Sequence, residues 1–224
     1  MKFEHLYKVG KDIYIDMQNE VFTGNVLDVG LNNYGIIYNL YKLQNENATV
    51  EYIQGKDEKQ YIENNSYDNC VLLFALSNLW LKSGKKHLIE DMSKFLKNDG
   101  ILHIWDIDKS FSSLFRGKIK ALLPDNIIKE INITDLNILK DCSKENTIKL
   151  LEQYFEIIDL KDYDKVYYIK ARNRMCFADS QKTLQNEMKG SVKHENSFSS
   201  NKFKVRSQQF SSKISESLHK RFKL

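Results

Sequence analysis

The sequence predicts an α/β fold: a mostly parallel sheet with flanking helices and a C-terminal antiparallel hairpin. Three observations carry that expectation. Short apolar runs at Val26–Gly30, Tyr67–Ala75 and Ile101–Trp105 have the composition of strands buried on both faces. Between them lie stretches with apolar residues three and four apart, the period of amphipathic helices. Two strand-length segments facing each other across Lys161–Lys165 supply the hairpin.

Taken in order, residues 5–22 predict an amphipathic helix on Leu6, Val9, Ile13, Met17 and Val21. Thr23-Gly24-Asn25 breaks it, and Val26-Leu-Asp-Val-Gly30 is a buried strand running into a turn. A helix is expected over 35–45 on Ile36, Ile37, Leu40 and Leu43, then a strand over 48–54 and a polar loop over 55–66. The apolar strand Tyr67–Ala75 takes the centre of the sheet. Lys85–Lys97 reads as a helix, and Asn98-Asp99-Gly100 ends it because glycine is favoured just past a helix C-terminus. The strand Ile101–Trp105 leads into Asp106-Ile107-Asp108. Residues 110–142 admit two readings: strands at Lys118–Leu123 and Ile127–Ile133 around Pro124-Asp125-Asn126, or a lid-like insertion. Asn146–Phe155 is a helix, and Phe155–Leu160 with Val166–Ala171 forms the hairpin. Strand and helix alternate in the order of right-handed βαβ units.

The chain has 224 residues and is 42% hydrophobic, with a mean hydropathy of -0.52. That suits one soluble domain over 1–172 and an appendage over 173–224. The net charge of +4 is unevenly placed, with +7 in residues 173–224 and -3 before them. The appendage is rich in Ser, Asn, Gln and Lys and reads as a flexible tail. Phe198, Phe203, Phe210 and Phe222 are interleaved with its Lys and Arg, a composition that suits contact with nucleic acid or an anionic membrane as well as plain solvation. The three cysteines, Cys70, Cys142 and Cys176, form no CxxC and sit at no ligand spacing from a histidine. No disulfide framework or metal site is expected, and a reducing cytoplasm is the natural compartment. His103, inside a buried strand, is read as a hydrogen-bonded core histidine. The N-terminus lacks the apolar core of a signal peptide, and no run is long enough to span a membrane.

Three motifs in order carry a family resemblance. Val26-Leu-Asp-Val-Gly30 is similar to the strand and turn that open the cofactor loop of class I S-adenosylmethionine-dependent methyltransferases. Gly55-Lys-Asp-Glu-Lys-Gln-Tyr-Ile-Glu-Asn-Asn-Ser-Tyr-Asp68, followed by Val71-Leu-Leu-Phe-Ala-Leu76, resembles that family's "GDAxxLPFxDxSFD" run and central strand. Leu96-Lys-Asn-Asp-Gly-Ile-Leu-His-Ile-Trp-Asp106 resembles its "LKPGG" helix end and the next strand. With the hairpin, the resemblance covers residues 20–172. It implies a Rossmann-like sheet, S-adenosyl-L-methionine as cofactor, and methyl transfer to an unidentified small-molecule acceptor. A catalytically inactive methyltransferase-like binding or regulatory module, touching nucleic acid through its basic tail, is the alternative it leaves open. The chain has a single proline, and so lacks the Asn/Asp-Pro-Pro-aromatic tetrapeptide of amino-group methylation on nucleic acids.

The resemblance assigns cofactor binding to Asp28, Gly30, Asn32, Asn33, Tyr34, Gln54, Asp57, Glu58, Ala75 and Leu76. A glycine turn between strand and helix lets backbone N–H groups approach a ligand at the C-terminal edge of a sheet. Here Asn32 and Tyr34 stand where the family has its next two glycines, and Gly35 comes one position late. Gln54 replaces the acid expected at the ribose, with Asp57 and Glu58 the nearest substitutes. Only one helix fits between Gly35 and the strand at 48–54, so the fold is shortened relative to the family. Ser77, Asn78 and Trp80 follow the central strand and are candidate substrate contacts. Asp106 and Asp108 are candidate catalytic groups, as general base or substrate anchor. Each has an ordinary counterpart: a strand-ending turn for Asp28 and Gly30, a helix N-cap for Asn32 or Asn33, packing for Trp80, solvated turn carboxylates for Asp106 and Asp108.

Overall fold

A parallel strand pair needs a crossover connection, and the chain supplies one after each of its early strands. The structure, a computed structural model, describes residues 12–30, 32, 34–44, 50–53 and 62–174. In chain order these form β1 (Asp12–Asp16), β2 (Val26–Val29), α1 (Ile36–Gln44), β3 (Val50–Ile53), β4 (Tyr67–Leu73), α2 (Lys82–Phe95), β5 (Leu96–Ile107), β6 (Phe115–Leu122), β7 (Ile128–Asp135), α3 (Lys144–Leu151), β8 (Phe155–Tyr163) and β9 (Val166–Asn173). The main sheet has the order β3-β2-β4-β5-β9-β8. Its first four strands are parallel, and β9 and β8 close it as an antiparallel hairpin. This is the expected Rossmann-like α/β sheet. Among the described residues β3 is its outer strand.

Successive residues of a strand face opposite sides of the sheet, so each strand contributes to two cores. On one face Leu27, Leu72 and Ile104 pack with Ile89 and Met92 of α2 and Leu151 of α3. On the other face Val26, Val71, Trp105 and Tyr168 pack with Ile37 and Leu40 of α1, and also with Ile15, Ile119 and Ile131. Those last three belong to a second sheet of order β1-β6-β7, in which β1 runs parallel to β6 and β7 antiparallel.

That second sheet corrects one expectation and matches another. Residues 12–16 are strand rather than part of a helix over 5–22, of which residues 5–11 lie outside the described residues. Ile13, Ile15 and Met17 alternate into the core, whereas Val21, needed for a helical stripe, is 59% exposed. A period of two prevails because β6 offers β1 a complete hydrogen-bonded ladder. In 110–142 the strand reading matches: the strands expected at Lys118–Leu123 and Ile127–Ile133 are β6 and β7. Asp125 and Asn126 both take left-handed backbone, with φ of 59° and 58°, as the tight turn of a hairpin whose twist matches its strands requires.

The helix expected over 85–97 runs from Lys82 to Phe95, and its expected end Asn98-Asp99-Gly100 lies within β5. The left-handed residue there is Asp99, with φ of 60°, rather than Gly100. Helix α1 matches the expected 35–45 within a residue at each end, and α3 starts at Lys144 rather than 146 and stops at Leu151.

One polar network crosses the core between the sheets. His103 is buried, with Nδ1 2.9 Å from the Tyr168 hydroxyl and Nε2 3.2 Å from Asn69 Oδ1. The Tyr168 hydroxyl donates to Glu20 at 3.2 Å, and Glu20 pairs with Lys161 at 2.9 Å. His103 is thus the hydrogen-bonded core histidine expected of it. Burial pushes its pKa down to about 3, helped by the positive charges of Lys170 and Lys161.

Two predictions follow from this packing. Ile15→Ala costs about 3 kcal/mol in urea denaturation, while Val21→Ala stays within about 0.5 kcal/mol; the reverse order would restore the helical reading. His103 stays neutral in the folded chain well below the pH near 6.5 at which the unfolded chain protonates it. Its contribution to stability is therefore complete above pH 6.5 and is lost as pH falls towards 3. Denaturation of His103→Asn at a series of pH values shows a flatter acid decline than the parent.

Candidate active site

The chain passes from β2 through α1 to β3 on one side of β2, then returns to β4 on the other side. In open α/β sheets such a reversal opens a crevice beyond the carboxyl ends of the two strands. Gly30 follows β2, and Phe74 follows β4. The two turns adjoin: a Cβ placed on Gly30 would meet the Leu73 carbonyl oxygen at 3.7 Å and nothing closer. Among the described residues a Cβ there would meet only backbone, the Asn32 carbonyl oxygen standing at the same 3.7 Å.

Beyond Gly30 the loop turns into α1. Asn32 is exposed and its amide donates to the Tyr34 hydroxyl at 3.3 Å. The Tyr34 ring is half-buried and packs on the core beneath α1, so its bulk is drawn inward. Gly35 carries φ of +66°, and its carbonyl accepts the Asn39 N–H at 3.1 Å. Gly35 is thus the N-cap of α1, the place suggested for Asn32 or Asn33. The late glycine has a conformational reason for being there, since left-handed backbone suits glycine best.

The turn after β4 is built on Phe74, a bulky residue with φ of 54° and almost no exposure. Such backbone is strained in a bulky residue and persists only where neighbours hold it. Here the Phe74 N–H donates to the Trp105 carbonyl at 2.7 Å. The Phe74 carbonyl accepts the Ser77 hydroxyl at 3.2 Å and the Asn78 amide at 2.7 Å. Ala75 and Leu76 are buried in the α2-side core, while Trp80 is 63% exposed.

Asp106 fixes this turn from β5. Its carboxylate is fully buried, accepting the Ser77 N–H at 2.9 Å through one oxygen and the Ile107 N–H at 2.8 Å through the other. Burial pushes its pKa up against the hydrogen bonds from Ser77 and Ile107, which act the other way. Both oxygens of Asp106 are thus engaged by backbone N–H groups. Asp108 accepts the Lys144 N–H at 3.1 Å, at the first turn of α3. Asp28 differs from both. It is 7% exposed, no donor among the described residues is on its carboxyl, and burial pushes its pKa up to about 7.

The structure therefore places Asp28, Gly30, Asn32 and Tyr34 at and after the end of β2, and Ser77 and Asn78 after the end of the adjacent β4. Asn33, Gln54, Asp57 and Glu58 lie outside the described residues. Sequence reasoning missed Phe74, whose left-handed backbone leaves no mark on composition. It also missed buried Lys109, which donates to the carbonyls of Asn137 and Lys140 at 2.7 Å each. Among the described residues no group of His, Cys, Asp and Glu is arranged to hold a metal ion. Cys70 and Cys142 are free and buried.

No family model matches the chain, and no curated protein matches it. Solved structures share its general shape at low identity. The N-methyltransferase NodS from Bradyrhizobium japonicum WM9, in complex with S-adenosyl-L-homocysteine, is 11% identical over 68% of this chain and 79% of its own, with a TM-score of 0.45. An S-adenosylmethionine-dependent methyltransferase from Mesorhizobium loti is 12% identical over 70% and 94%, with a TM-score of 0.46. The [4+2]-cyclase SpnF is 12% identical over 71% and 78%, with a TM-score of 0.48.

Asp28 gives this crevice a pH signature. Its folded pKa of about 7 lies above the ordinary 3.8. Between these values the folded chain holds a proton that the unfolded chain has released, so stability falls as pH rises through the window. Asp28→Asn removes that loss: it stabilises the protein by about 4 kcal/mol at pH 8 and changes little at pH 4. Urea denaturation at the two pH values checks this, and the sign is opposite to that for His103.

Proposed function

We propose that this chain is an S-adenosylmethionine-dependent methyltransferase of class I architecture, acting on a small-molecule acceptor in a reducing cytoplasm. The single observation that carries the reading is the reversal of strand order about β2, with the Asp28-Val29-Gly30 turn at the carboxyl end of that strand. It stands where the sequence resemblance puts the cofactor loop. The residues present suit a zwitterionic nucleoside ligand. Gly30 leaves backbone open to close approach, and Asp28 is a buried carboxyl with an unused acceptor for an ammonium group. Asn32 and Tyr34 line the same loop, and Gln54, Asp57 and Glu58 remain the candidates for the ribose side.

When bound, the sulfonium supplies an already activated methyl group. The protein's share of the work is to orient the acceptor and exclude water, and a general base is optional. Ser77 and Asn78, held by Phe74 and Asp106, make a rigid turn after β4 for that purpose. The engagement of Asp106 and Asp108 with backbone N–H groups favours a second reading, a cofactor-binding module without turnover.

Thermal unfolding with S-adenosylhomocysteine tests the main reading. Ligand at about 100 times its dissociation constant adds about 2.7 kcal/mol of stability, and the absence of any shift at millimolar ligand refutes it. Gly30→Ala has room for its methyl group, so the free protein keeps its stability within about 0.5 kcal/mol while binding weakens by about tenfold or more. Binding without product formation across a panel of small acceptors assigns the second reading.

A further inference from the structure

Exposed apolar side chains gather on one part of this protein. Trp80, Leu81, Phe111, Leu136, Ile138 and Leu139 are each more than half exposed, and Trp80, Leu81, Leu136 and Leu139 are the only described large hydrophobic residues at or above 60%. They come from three separate segments: the turn after β4, the turn after β5 and the stretch after β7. The three are locked together. Ser112 N–H donates to the Ile138 carbonyl at 2.8 Å, and Lys140 Nζ donates to the Ser77 carbonyl at 2.5 Å. Buried Lys85 reaches the Asp141 carbonyl from α2 and lies 3.2 Å from Cys142 Sγ. The result is a single rigid cap, and one that spends buried lysines to hold its loops. A contiguous exposed apolar patch of this kind marks a contact surface.

The charge around the patch identifies the partner. Every carboxylate of the cap is engaged internally: Asp135 lies 2.6 Å from Lys140, Asp108 accepts the Lys144 N–H, and Asp141 accepts from Ser143 and Asn146. The adjoining Lys82 and Lys86 are exposed and take part in no ion pair among the described residues. Lys82 opens α2 and Lys86 follows one turn on; the first turn has no acidic residue and no side-chain cap. Lysines there face the positive end of the helix dipole, an arrangement that an external anion relieves. Apolar tips including a tryptophan, with exposed Lys82 and Lys86 beside them, match the boundary between the acyl chains and headgroups of a bilayer. No described helix is long and apolar enough to cross a membrane, so the contact is peripheral.

We propose that this cap docks the protein on an anionic membrane surface, with the apolar tips inserted and Lys82 and Lys86 on lipid phosphates. The two tryptophans make the test direct, since Trp105 is fully buried and Trp80 is exposed. The full chain is mixed with phosphatidylcholine vesicles, with and without phosphatidylserine, and followed by tryptophan emission and co-sedimentation. Phosphatidylserine vesicles are expected to shift Trp80 emission to the blue and to carry the protein down, less so at high salt. A Leu136→Glu/Leu139→Glu variant, altered only at exposed positions, keeps its thermal midpoint but binds vesicles at least about tenfold more weakly. A Lys82→Glu/Lys86→Glu variant loses the preference for phosphatidylserine. The proposal is overturned if no blue shift occurs at low salt, or if the leucine variant binds as well as the parent. A vesicle-independent blue shift with dimer formation, both abolished by the leucine variant, also overturns it and assigns the cap to a second copy of the chain. None of these readouts involves S-adenosylhomocysteine, so the outcome is independent of the proposed activity.

Discussion

A parallel sheet has no face it can leave to water, because its strands are apolar on both sides. Here α2 and α3 cover one face, but among the described residues the only helix on the other is the nine-residue α1. The uncovered part is closed by β1, β6 and β7, a small sheet drawn from two distant parts of the chain. Ile15, Ile119 and Ile131 bring its inner side against Trp105 and Tyr168. Without that second layer the widest aromatic side chains of the main sheet would face solvent. The same need explains why 110–142 is strand rather than lid, and why residues 12–16 are not helix.

At the carboxyl edge of the sheet the cost of burial is met by charge and hydrogen bonding. Asp106, Lys85, Lys109 and Asp135 are all buried, and each has a defined role. Asp106 ties the turn after β4 to the end of β5. Lys85 and Lys109 hold the stretch after β7 by its carbonyls, and Asp135 lies between Lys109 and Lys140. Removing one partner of such a set strands the other, which is far more damaging than an exposed change. This interlocking keeps Phe74 in left-handed backbone and fixes both the lip of the crevice and the apolar cap beyond it. Strain, buried charge and exposed apolar surface thus concentrate at one edge, while the opposite face-to-face packing is ordinary core.

The candidate site was partly legible in sequence. Asp28 and Gly30 are recognisable because a short apolar strand ending in an acid and a glycine is a local pattern, set by the turn that must follow. Gly35 stood out as a late glycine, and its role as the N-cap of α1 follows from its positive φ. Tyr34 could not be placed from sequence: a tyrosine in a loop points outward or inward according to what lies under it, and here the core beneath α1 takes it. Asp106 looked like a free carboxylate at a strand end. Its burial depends on the turn after β4 folding over it, a contact between residues 29 positions apart.

By itself the sequence determined the main sheet, its helices and its terminal hairpin, because continuous apolar runs and 3.6-residue periodicity are read within a dozen residues. It also marked the turn after β2, since an acid and a glycine ending a short apolar run form a local pattern. Only the tertiary structure decided the state of 12–16 and 110–142. There the local patterns fitted two structures, and pairing between β1 and β6, about a hundred residues apart, selected one. The tertiary structure likewise decided which charged residues are buried, because desolvation and partners depend on neighbours that no local pattern specifies.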